Sequence, residues 1–124
     1  MKVLIVDDSK IVCNGLREML INIANLVVVG EAHNADEAVK AISELKPDVV
    51  ILDIRLPGPS GIEVLKDIRG KKLPIRVIML TNYPYPQYRK KCEELGADYF
   101  FDKVTEIEKV TEVIEQLVSP PVAH

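Results

Sequence analysis

The chain has 124 residues, 48% hydrophobic and 28% charged, the balance of one folded globular domain rather than a disordered segment. Sixteen Lys and Arg against nineteen Asp and Glu leave a net charge of −3, without the basic excess of a dedicated nucleic-acid binder. Cys13, Cys92, His33 and His124 fit no linear zinc or redox motif, so spacing alone predicts no zinc site and plain packing roles for both thiols.

The first predicted element is the apolar run Val3 to Val6, stopped by Asp7 and Asp8. It is too short for a signal-peptide core, and no other run approaches a membrane span, so a cytoplasmic location is expected. A helical face of Val12, Leu16, Met19 and Ile23 follows, and Asp8 or Ser9 can cap it. The second run is LVVV at 26–29. Asn34 and Glu37 then stand in capping-box spacing ahead of Ala35, Ala38, Val39 and Ile42.

The third run, VVIL at 49–52, ends in Asp53; Ser60 with Glu63 opens the next face of Ile62, Leu65 and Ile68, and Gly70 marks its stop. The fourth, VIML at 77–80, ends in Thr81. The YPYP at 83–86 postpones the following helix to about Pro86, with a weaker face of Tyr88, Cys92 and Leu95 closed by Gly96. The fifth, YFF at 99–101, runs into Asp102 and Lys103. Thr105 with Glu108 then predicts a last helix with Ile107, Val110, Ile114 and Leu117 on one face. Pro120 and Pro121 end it, which divides the chain into a domain over 1–118 and a short tail over 119–124.

Continuous apolar runs, unlike alternating ones, suit parallel strands covered on both faces. Five strand–helix units predict an α/β fold: a doubly wound, five-stranded parallel sheet of flavodoxin-like order 2-1-3-4-5 with helices on both faces. Ligands of such sheets bind beyond the carboxyl ends of the strands. The order brings Asp7, Asp8 and Asp53 to one edge, with Thr81 and Lys103 on the same side.

Singly, each of these residues reads as a cap, a turn or a solvated amine. Jointly they read as chemistry. Three clustered carboxylates repel one another unless a cation or proton intervenes, and Mg²⁺ is the hard ion that such oxygens hold. A carboxylate can also attack phosphorus and become an aspartyl phosphate. A nucleotide or flavin binder would need glycines in the first loop, which reads DDSKI. A small-molecule phosphatase would need a lid or subdomain, and five strand–helix units leave no length for one.

The segments LIVDDSK at 4–10, VVILDIRLPGPSGIEVL at 49–65, LTN at 80–82 and GADYFFDK at 96–103 resemble the receiver domain of bacterial two-component response regulators. The resemblance runs from Lys2 to about Leu117. It implies that Asp53 accepts a phosphoryl group, in a Mg²⁺-dependent reaction, from a sensor histidine kinase or a phosphotransfer protein. The chain would then catalyse only its own phosphorylation and dephosphorylation. Asp7 and Asp8 match the acid pair that binds Mg²⁺ beside Asp53, with the backbone carbonyl of Arg55 as a further contact. Thr81 matches the switch hydroxyl and Lys103 the amine that pairs with the phosphoryl group. Phe100 matches the aromatic residue whose rotamer turns inward on activation.

The resemblance further implies that a downstream protein or a second copy docks on the face of the fourth helix, fifth strand and fifth helix. The charge balance and the lack of a membrane-length run predict no direct nucleic-acid or membrane contact by this chain, as a stand-alone receiver or as the receiver portion of a longer regulator. The complete set of matching residues argues against a receiver that binds partners without phosphorylation. Arg55 and Tyr83 match positions flanking the path of attacking water. Val104 stands where the family often has Pro after the Lys, joined by a cis bond. That bond costs roughly 3–4 kcal/mol before any other residue, so the loop geometry is not carried over.

Overall fold

The computed structural model describes residues 1–119. The expected stop at Pro120 and Pro121, and His124, lie outside the described residues. The elements alternate as β1 (Lys2–Val6), α1 (Lys10–Leu20), β2 (Val27–Ala32), α2 (Ala35–Leu45), β3 (Val49–Leu52), α3 (Gly61–Gly70), β4 (Arg76–Thr81), α4 (Pro86–Glu94), β5 (Tyr99–Asp102) and α5 (Ile107–Val118). All strand pairs are parallel and the order is β2-β1-β3-β4-β5, the expected architecture.

The two-residue period of a strand divides the core. Leu4, Val6, Val50, Leu52, Val77 and Met79 pack on one side against α2, α3 and α4. Val3, Ile5, Val49, Ile51, Ile78 and Leu80 pack on the other against α1 and α5. All four residues of β3 are buried, as a central strand covered on both faces requires. Each such side chain contributes about 1.5–3 kcal/mol over its exposed state.

Local chemistry sets the ends. Ser9 caps α1 with its hydroxyl accepting from the Val12 amide, and the Asn34 side-chain oxygen Oδ1 accepts from the Glu37 amide at α2. Ser60 occupies the cap position of α3 but makes no side-chain cap bond. Several boundaries differ from expectation by a residue or more, α1 stopping at Leu20 short of Ile23 among them, and three show a local cause. β2 begins one residue later and runs on to Ala32, because pairing with β1 continues through Glu31 and Ala32 after a register shift at Val3/Leu4. α5 is capped at Glu106 rather than Thr105: the Glu106 carboxylate accepts from the Asp102 amide and its own amide donates to the Asp102 carbonyl, closing the turn one residue further on. Gly70 stays within α3, and the left-handed residue after that helix is Lys72 (φ 54°).

Gly61 is indispensable at the start of α3. Its amide donates to the Ile54 carbonyl at 2.8 Å, and a Cβ there would stand 1.8 Å from the Asp53 carbonyl oxygen. Gly61→Ala must therefore push α3 away from the loop carrying Asp53. The expected cost is about 1–3 kcal/mol in urea unfolding. An unchanged midpoint would show that the loop yields freely.

Candidate functional site

Backbone pairing extends past the strands and sets the site. The Asp53 amide donates to the Val6 carbonyl and the Asp7 amide to the Ala32 carbonyl, both at 3.0 Å, so Asp7 and Asp53 leave adjacent strands at one level. Asp7, Asp8 and Asp53 each offer an oxygen, and these oxygens lie within 4.8 Å of one another. Asp7 and Asp53 are buried and Asp8 is exposed. Lys103, just after β5, is held at the same edge by its amide donating to the Thr81 carbonyl at 2.8 Å.

The Lys103 ammonium donates to Asp7 Oδ2 at 2.6 Å and Asp53 Oδ2 at 3.1 Å. Asp7 Oδ1 accepts from the Ser9 amide at 2.8 Å, a partner that sequence reasoning credited only with capping. Asp53 Oδ1 is buried and has no hydrogen-bond partner. Burial raises the Asp53 carboxyl above its ordinary pKa; Lys103 opposes this and Asp7 adds to it. Burial alone would lower Lys103, but the two carboxylates outweigh it and hold its pKa above the usual value. One cation faces three carboxylates. The all-oxygen donor set, the unpartnered buried oxygen and the exposed Asp8 together fit a hard divalent ion such as Mg²⁺.

Thr81 is fully buried at the end of β4, its hydroxyl accepting from the Tyr83 amide at 3.0 Å. Phe100 sits apart from the acids, in the core on the α4 side, and is only 6% exposed. The Arg89 guanidinium covers its ring at 4.6 Å and donates to its carbonyl at 3.3 Å. Sequence reasoning missed Arg89, because a helical arginine reads as solvated until β5 is placed beside α4. Arg55 and Tyr83 do meet: the Arg55 guanidinium lies over the Tyr83 ring at 4.1 Å, joining the loop after β3 to the loop after β4. The peptide bonds, Lys103–Val104 among them, include no cis bond among the described residues.

Residues 3–115 match the family described as response regulator receiver domain. The chain is 32% identical over 129 aligned positions to Response regulator GacA of Pseudomonas aeruginosa, covering 99% of this chain and 60% of the relative. It thus spans about 60% of the length of that curated relative. Protein CcdB of Bacillus subtilis is 35% identical, with 94% of this chain and 97% of the relative covered. Among solved structures, a DNA-binding response regulator of the LuxR family from Staphylococcus aureus superposes with TM-score 0.87 at 31% identity, covering 95% of this chain and 98% of that one. The isolated receiver of RcsB from Salmonella enterica serovar Typhimurium, solved with the phosphomimetic BeF₃⁻, gives TM-score 0.88 at 25% identity over 99% and 91% of the two chains.

Proposed function

The chain belongs to the response regulator receiver family of two-component systems, and from that premise we propose that it is a phosphorylation switch with Asp53 as acceptor. The observation that carries this reading is Asp53 Oδ1, buried and unpartnered beside a lysine that already holds Oδ2. The phosphoryl donor is a phosphohistidine of a sensor kinase or phosphotransfer protein. Asp53 Oδ1 attacks its phosphorus, an O–P bond forms, and the N–P bond to the donor breaks with the electron pair leaving on the imidazole nitrogen. Lys103 keeps Oδ2 fixed during attack and then pairs with a phosphoryl oxygen.

Asp7, Asp8 and Asp53, with the Arg55 backbone carbonyl, would hold Mg²⁺, which when bound neutralises charge on the transferring group. The chain catalyses only its own phosphorylation and dephosphorylation. The new phosphoryl oxygens draw the Thr81 hydroxyl from its Tyr83 partner, and the loop after β4 follows it. Phe100 repacks under Arg89, altering the α4–β5–α5 face that meets a downstream protein or a second copy. Among the described residues no helix is long and apolar enough to cross a membrane, and the reading places the chain in the cytoplasm.

A small phosphodonor with Mg²⁺, followed by intact mass, tests the proposal. Wild type should gain one phosphoryl group. Asp8→Ala should lose Mg²⁺ affinity and phosphoryl uptake while keeping its stability within about 0.5 kcal/mol, because Asp8 is exposed. An unchanged Mg²⁺ titration in that variant would remove the metal site from the reading.

A further inference from the structure

We propose that Cys13, Glu31 and His33 form a second metal site, selective for a borderline divalent ion of the zinc class. Ala32 packs toward α2 and α3, so its strand neighbours Glu31 and His33 present their side chains on the opposite, α1 side of the sheet. There they meet Cys13 of α1. One ligand atom from each, the Cys13 sulfur, a Glu31 oxygen and a His33 nitrogen, lie within 4.8 Å of one another. Sulfur, imidazole and carboxylate together are the donor set of zinc, whereas the all-oxygen cluster at Asp53 is that of magnesium.

A second observation points to a ligand. His33 Nε2 is buried and has no hydrogen-bond partner, although the His33 side chain as a whole is 41% exposed. Buried polar atoms are nearly always paired, and a coordinating ion satisfies this one. Its nearest acid, Glu31 Oε1, is 3.8 Å away, beyond hydrogen-bond distance.

The surroundings suit coordination. Arg17 Nε holds Glu31 Oε2 at 2.8 Å, which fixes the carboxylate from behind and leaves Oε1 facing the imidazole. Lys10 reaches Glu31 only at 3.4 Å on an exposed side chain and is readily displaced. Glu37 lies 3.9 Å from His33 Nδ1, which adds negative charge beside the ring without a hydrogen bond to it. Binding forms a metal–sulfur bond and releases the thiol proton to solvent, leaving thiolate and carboxylate to neutralise the double charge of the ion. Cys13 is fully buried and the His33 side chain is partly exposed, so an ion would enter from the His33 side.

Cobalt(II) titration of the full chain, with Mg²⁺ in excess to occupy the acid cluster, tests the site. One equivalent should give a thiolate-to-cobalt charge-transfer band that zinc abolishes by displacement. Cys13→Ser should remove the band and Cys92→Ser should retain it. His33→Ala, a change at a half-exposed side chain, should weaken cobalt binding by about ten-fold or more with unchanged circular dichroism. Cobalt binding without a thiolate band, or full affinity in His33→Ala, would overturn the proposal.

Discussion

Asp53→Asn is expected to abolish phosphoryl uptake completely and, in metal-free buffer, to melt at a higher temperature than wild type. The amide keeps the shape of the side chain but offers no anionic oxygen to attack phosphorus. The stability gain follows from the electrostatics. Burial lifts the Asp53 pKa above its ordinary 3.8, so the folded state holds the proton more tightly than the unfolded chain does. Stability therefore falls as pH rises from that ordinary value through the raised folded one, so ionising this carboxylate is a cost to the fold. Asparagine removes the cost and leaves the 2.6 Å pair between Lys103 and Asp7 in place. Intact mass and thermal melts in chelator check both halves. Any mass gain, or a lower melting temperature than wild type, would count against the assignment. The advantage of the variant should shrink as pH falls and wild-type Asp53 takes up its proton.

The acid cluster was legible because strand order does the placing. Once Val3 to Val6 and Val49 to Leu52 are neighbouring parallel strands, the next residue of each must stand at the same edge. Right-handed crossover and helix-covered sheets narrow the order for five regular units, and the flavodoxin-like order is chosen from among those that remain because it is common. Thr105 misled because its spacing to Glu108 satisfies a capping pattern, whereas the long Glu106 side chain reaches back to Asp102. β2 is an edge strand whose last paired residues include Gly30 and Glu31, so its hydrophobic signal fades before its hydrogen bonding does. The grouping of Cys13, Glu31 and His33 has no linear motif at all. It arises only when α1 lies across the end of β2, a packing fact that residue spacing does not encode.

Lys103→Met should be the most destabilising change at the site, about 3–5 kcal/mol in chelator, which is the cost of removing one partner from a buried charge pair. That is a large share of the roughly 5–15 kcal/mol that holds a domain folded. Methionine keeps much of the length and apolar stem of lysine, so packing is not the main loss. What remains is the charge of Asp7 and Asp53, both buried, whose Oδ2 atoms lose their donor. Two consequences separate this account from simple loss of packing. Added Mg²⁺ should narrow the gap to wild type, because a divalent cation replaces positive charge beside the same carboxylates. Asp53→Asn should also stabilise the Lys103→Met protein more than it stabilises wild type, since it removes one of the two charges left unpaired. Urea unfolding of wild type, both single variants and the double variant gives the coupling, expected at about 0.5–3 kcal/mol for residues in direct contact. If the two substitutions add without coupling, the ammonium 3.1 Å from Asp53 does not hold that carboxylate, and the lysine reaches the site only through Asp7.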